Sequence, residues 1–127
     1  MKLKAIALDL DGTLLTSDKK ISETNREVLK ELNRRGVKIF LVTGRTYLAT
    51  KPYALDLDAG GVVIAYNGAK VVDYENDRVI FELPLEADHV KELIRISKRL
   101  GVPLNLYQNN EWYVEDSSRR EVIRYGS

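Results

Sequence analysis

With 20 basic and 19 acidic residues among 127, the chain has a net charge of +1 and no long-range field that would recruit nucleic acid or an anionic membrane. It has no cysteine, which excludes disulfides and thiolate metal sites and suits a reducing compartment, so the cytoplasm is the expected location. The length is that of one domain, and the first apolar run meets a carboxylate at Asp9, too early for a signal peptide or membrane span.

Leu3 to Leu8 reads as a buried central parallel strand covered on both faces, with Asp9 and Asp11 just past its carboxyl end. A helix follows from the Ser22 N-cap, with Val28, Leu29 and Leu32 as its buried face and Gly36 as its stop. Val37 to Val42 is the second strand and ends at Thr43-Gly44-Arg45. Because Pro52 lacks a backbone donor, Thr46 to Leu57 is expected to be a short turn and then a helix beginning near Pro52. Gly61 to Ala65 is a third strand, ended by Asn67-Gly68. Alternating strands and helices predict a partial Rossmann-like α/β parallel sheet whose ligand crevice lies at the carboxyl ends of the strands.

The rhythm then changes. Lys70 to Tyr74 and Arg78 to Leu83 read as a β-hairpin, so residues 1–83 form one region with a hairpin at about 70–83. Past Pro84, residues 84–127 read as a helix over Glu86 to Leu100 with Val90, Leu93, Ile94 and Leu100 inward. A second hairpin follows over Leu104 to Tyr107 and Trp112 to Val114, and then a helix from Ser117 to Tyr125.

In Asp9-Leu10-Asp11-Gly12-Thr13, extended geometry would project both carboxylates to one side. A divalent cation reconciles like charges that close, and Mg²⁺ accepts carboxylate oxygens while bridging to phosphate. A carboxylate also attacks phosphorus, dividing one hydrolysis into two easier steps. Asp9 is therefore the candidate nucleophile and Asp11 the acid/base partner, with Gly12 turning the chain away. Thr43 and the amides of Leu10 and Gly44 are the candidate phosphate donors.

Asp9-Leu-Asp-Gly-Thr-Leu-Leu15 after an apolar strand, followed by Val42-Thr-Gly-Arg45, resembles motifs one and two of the haloacid dehalogenase-like superfamily. Ile64 to Ala69 and the aromatic second hairpin are similar to its Cof-type sugar phosphatases, so the likeness runs along essentially the whole chain. The resemblance implies Mg²⁺-dependent hydrolysis of a small phosphate ester, with Mg²⁺ on the Asp9 carboxylate and the Asp11 backbone carbonyl. It also implies that Arg45 and Asn67 line the substrate pocket and that residues 84–127 are the first half of a C2-type cap. A third-motif lysine and a Gly-Asp-x-x-Asn-Asp fourth motif do not follow, so the chain alone is expected to be weak or inactive.

Ala7 to Asp11 recurs as Ala-Leu-Asp-Leu-Asp at Ala54 to Asp58, but without Gly-Thr and in a helical setting, so Asp56 and Asp58 are expected to be solvated helix-end carboxylates. His89 is expected to be plainly exposed, and Trp112, Tyr107 and Tyr113 to pack across their hairpin. Two other functions compete. A phosphotransfer receiver would carry its acceptor on a later strand, and a non-catalytic half-protein could dimerise through an exposed sheet edge.

Overall fold

The computed structural model describes residues 3–58, 61–109, 111–116 and 118. The chain divides into two compact units, Met1–Leu83 and Pro84–Ser127.

The first unit contains β1 (Ala5–Leu8), α1 (Glu23–Arg34), β2 (Lys38–Val42), α2 (Tyr47–Leu57), β3 (Val62–Ala65), β4 (Lys70–Asp73) and β5 (Arg78–Glu82). The strands form one sheet in the order β1-β2-β3-β4-β5. The β1–β2 and β2–β3 pairs are parallel, and β3–β4 and β4–β5 are antiparallel. This is an α/β unit with a mixed sheet, its parallel part formed by the three strands that alternate with helices.

Burial along β2 alternates, with Ile39 and Leu41 fully buried and Phe40 and Val42 only half-buried. Packing α1 on β2 and α2 on β3 joins those residues to Leu29, Ala54, Leu57, Val63 and Ala65 in one core. At about 25 cal/mol per Å² of apolar surface, this shared core is the main source of the unit's stability.

Among the described residues the strand expected to be central, β1, stands at the end of the sheet paired only with β2, and Ala5 and Ala7 are exposed. An apolar run reports a preference for burial, whereas coverage of both faces also depends on neighbours that the run does not specify. In α1, Ser22 Oγ accepts from the Asn25 amide at 3.3 Å and Leu29 is buried. Val28, expected inward, is 53% exposed, because consecutive positions on a helix point about 100° apart and the contact with β2 takes up Leu29. Gly36, at φ +83°, ends the helix in the left-handed region that glycine enters at no steric cost.

Helix α2 also departs from expectation. It is continuous from Tyr47 with Pro52 inside, instead of beginning near Pro52. Thr46 caps it, accepting from the Ala49 amide at 3.2 Å, and burial of Tyr47, Thr50, Ala54 and Leu57 outweighs the backbone bond that proline forfeits.

Asp56 is not a merely solvated carboxylate. Arg26 of α1 grips it through Nε, 3.1 Å from each oxygen, and through Nη2 at 2.9 Å, tying α1 to α2. Asp58 is the left-handed C-cap of α2, and its carbonyl accepts from Asn33 Nδ2 at 2.7 Å. The second Ala-Leu-Asp-Leu-Asp copy therefore joins helices.

The second unit holds α3 (Ala87–Leu100) and the antiparallel pair β6 (Leu106–Gln108) and β7 (Glu111–Tyr113). Tyr107 lies opposite Trp112, and the Trp112 indole donates to Asn105 Oδ1 at 3.2 Å. His89 is exposed. Of the apolar positions assigned to the inner face of α3, Val90 and Ile94 are half-buried, whereas Leu93 and Leu100 are exposed. A single hairpin is too narrow to cover a four-turn apolar stripe. The helix expected over Ser117 to Tyr125 lies almost wholly outside the described residues. Among the described residues no helix is long and apolar enough to cross a membrane.

Candidate active site at the carboxyl ends of β1 and β2

The chain leaves β1 at Asp9, which keeps an extended backbone. It then bends through one wide turn over Leu10–Leu14, closed by Leu14 N–H to the Asp9 carbonyl at 3.2 Å and Leu15 N–H to the Leu10 carbonyl at 2.9 Å. Leu10 and Leu14 anchor this turn in the core, and Gly12 sits at φ +75°, where a side chain would be strained. The buried leucines thus fix the turn while Asp9, just before it, and Asp11, within it, stay exposed at the surface. A bridge between Leu15 and Ile21 then closes a small polar hairpin with Lys19 near its tip.

The next strand delivers its own loop beside this turn. Thr43 is buried, its amide donates to the Ile64 carbonyl at 2.9 Å, and its hydroxyl accepts from the Arg45 amide at 3.2 Å. The loop after β3 is tied to it by Asn67 N–H to the Thr43 carbonyl and Tyr66 N–H to the Arg45 carbonyl, each at 3.0 Å. Asn67 adopts φ +55° there, which places its carboxamide against Gly44, where an added Cβ would come 2.9 Å from Asn67 Oδ1. A side chain at position 44 would have to displace the Asn67 carboxamide.

These connections gather Asp9, Leu10, Asp11, Thr43, Gly44, Arg45 and Asn67 at the carboxyl ends of three adjacent strands. The two carboxylates have different surroundings. Among the described residues the side-chain hydrogen bond to Asp9 comes from Thr13, whose hydroxyl donates to Oδ2 at 3.4 Å. Asp11 is clamped: Arg45 Nε donates to Oδ2 at 2.5 Å, Arg45 Nη2 to Oδ1 at 2.7 Å, and Lys19 Nζ to Oδ1 at 2.7 Å. Arg45, and then Lys19, hold the Asp11 carboxyl well below the usual carboxylate range, and Asp11 in turn raises the Arg45 guanidinium.

Lys19 and Tyr53 are the participants that sequence reasoning missed. The Tyr53 ring lies 5.5 Å beneath the Arg45 guanidinium, and its hydroxyl donates to the Lys19 carbonyl at 2.9 Å, so α2 supports both cations of the clamp. The adjacent lysines in the turn after Asp11 were a signal for Lys19. Nothing in the sequence singled out Tyr53, 34 residues away from its hairpin partner.

Among the described residues no group of three or more His, Cys, Asp or Glu could hold a metal. The donors present are hard oxygens, the lightly engaged Asp9 carboxylate and the Asp11 backbone carbonyl, which fits part of a Mg²⁺ shell because Mg²⁺ uses one or two carboxylates and fills its octahedron with water and phosphate.

A sequence profile of haloacid dehalogenase-like hydrolases matches residues 6–125. A Bacillus subtilis protein named "Putative phosphatase YxeH" is 35% identical over 127 residues, covering 98% of this chain and 47% of the relative. A haloacid dehalogenase-like hydrolase from Bacteroides thetaiotaomicron superposes with TM-score 0.82 at 32% identity, covering 93% of this chain and 46% of that one. A sugar phosphatase of haloacid dehalogenase subclass IIB superposes with TM-score 0.82 at 25% identity, covering 95% and 46%. The chain spans about half the length of these relatives. The match along nearly all of its residues makes the chain a member of the haloacid dehalogenase-like hydrolase family.

Proposed function

We propose that the protein of which this chain is the whole or a part is a cytoplasmic, Mg²⁺-dependent phosphatase of the Cof type, acting on a small phosphorylated metabolite such as a sugar phosphate through an aspartyl-phosphate on Asp9. Residues 1–83 then form the N-terminal part of the hydrolase core and residues 84–127 the first half of a C2-type cap. One observation carries the reading: Asp9 and Asp11 stand at the end of one parallel strand, beside Thr43 and Arg45 at the end of its neighbour.

In the first step an Asp9 carboxylate oxygen attacks phosphorus and the bond from phosphorus to the leaving oxygen breaks, with Asp11 supplying a proton to that oxygen. In the second, Asp11 takes a proton from water, the water oxygen bonds to phosphorus, and the bond to Asp9 breaks to release phosphate. Thr43 and the amides of Leu10 and Gly44 donate to the phosphoryl oxygens. Mg²⁺ on the Asp9 carboxylate and the Asp11 carbonyl would neutralise phosphoryl charge.

The clamp sets a condition on this sequence. With Arg45 and Lys19 on its two oxygens, Asp11 is held ionised, the form needed for the second step. To donate in the first step it must leave them. A phosphate dianion arriving beside Asp9 gives both cations another partner, so substrate entry and release of Asp11 are linked.

The test is phosphate release from an aryl phosphate with Mg²⁺, run on the chain, on Asp9→Asn and with EDTA, followed by acid quenching and peptide mass spectrometry. Slow release that both controls abolish is expected, with a phosphoryl adduct on the peptide carrying Asp9. Release that survives Asp9→Asn, or an adduct on a peptide without Asp9, overturns the reading, whereas absence of release is what the missing third and fourth motifs lead one to expect of the chain alone.

A further inference from the structure

Lys19 occupies a position that local preference gives to other residues. It ends a three-residue hairpin loop, in which its amide donates to the Thr16 carbonyl at 3.0 Å and the Thr16 amide to the Lys20 carbonyl at 2.9 Å. The last residue of such a loop is left-handed, a place for glycine or asparagine, yet Lys19 stands there at φ +57°. Its ion pair with Asp11 does not offset the strain, because the Lys19 side chain is 61% exposed and a solvated pair adds little to stability. Strain kept without a gain in stability marks a residue held for what its side chain does.

The holder is Tyr53, half-buried against the core from α2. Its hydroxyl donates to the Lys19 carbonyl at 2.9 Å, which fixes the strained residue by its backbone, and its ring carries the Arg45 guanidinium at 5.5 Å. One side chain thus sets both cations, and neither hold passes through Asp11. When Asp11 turns towards the leaving oxygen, Lys19 and Arg45 keep their places without its charge, and two adjacent cations in that state favour the oxygens of an anion.

We propose that Tyr53 is a positioning residue that holds Lys19 and Arg45 as a preset pair of cations for the ester phosphate. The identity of the anion rests on the phosphatase reading given above. Every group concerned lies in the first unit, so weak binding by the chain itself is enough for a test.

The probe is inorganic phosphate, titrated from about 0.1 to about 50 mM at fixed Mg²⁺ and followed by the amide NMR shifts of Thr43 and Gly44, with urea unfolding alongside. Lys19→Gly is expected to unfold at an equal or higher urea concentration while binding phosphate about tenfold more weakly, opposite signs that a structural lysine would not give. Tyr53→Phe keeps the ring beneath Arg45. It is expected to weaken binding about threefold in the wild-type background and to have no effect in Lys19→Gly, where there is no ammonium to place. A wild-type chain that takes no phosphate, a loss of stability in Lys19→Gly, or an equal effect of Tyr53→Phe in both backgrounds overturns the proposal. Binding is scored without turnover, so a phosphoryl adduct found away from Asp9 would sink the phosphatase chemistry and leave the role of Tyr53 standing.

Discussion

Replacing Arg45 by Met keeps the aliphatic stem over Tyr53 but removes two of the three cationic contacts on Asp11. A hydrogen bond to a charged group contributes about 1.5–3 kcal/mol when protected from water. Here the Asp11 side chain is 41% exposed and that of Arg45 23%, so solvent screening reduces the pair to about 1 kcal/mol. Without that pair the Asp11 carboxyl should rise towards the usual carboxylate range in Arg45→Met, held down then by Lys19. The sign follows from linkage: the folded-state value is depressed, so the pair stabilises the fold above the ordinary aspartate range near pH 4 and the contribution is lost as pH falls below it. A ¹³C NMR titration of the Asp11 carboxyl without metal, with urea unfolding near neutral pH, measures both quantities. Asp11 titrating in the ordinary range in the wild-type chain, or unmoved in Arg45→Met, would refute the clamp and the linkage drawn between substrate entry and Asp11.

Two further predictions concern the frame. Leu41→Ala empties a fully buried position in β2 and should cost about 2–5 kcal/mol in urea unfolding, because strand and helix cannot close the void. Gly44→Ala brings a methyl group against Asn67 Oδ1, the end of an exposed side chain that can swing aside, and should cost under about 1 kcal/mol, a loss that Gly44→Ala with Asn67→Gly should largely recover. Additive losses in the double variant would place the strain elsewhere.

Much of the site was legible because its signals are local. Asp9, Asp11 and Gly12 are neighbours in sequence, and an apolar strand ending in two carboxylates and a glycine has few other readings. The Ser22 cap and the Gly36 stop were equally plain, since a cap is satisfied within three or four residues. Thr43 and Gly44 acquired meaning only through a second strand, but period and spacing suffice to place parallel neighbours together.

What the sequence could not decide depends on contacts between distant residues. Pro52 lies within a helix because Tyr47, Thr50, Ala54 and Leu57 are buried together, a tertiary gain that overrides a local penalty. The repeated Ala-Leu-Asp-Leu-Asp has one composition and two fates, since Asp11 meets Arg45 whereas Asp56 meets Arg26 across two helices. Local pattern determined which segments are strands and helices and where the acidic pair lies. The fold alone decided which cations reach Asp11, which face of α1 is covered and the order in which the described strands pair, because each follows from packing between residues that the chain keeps far apart.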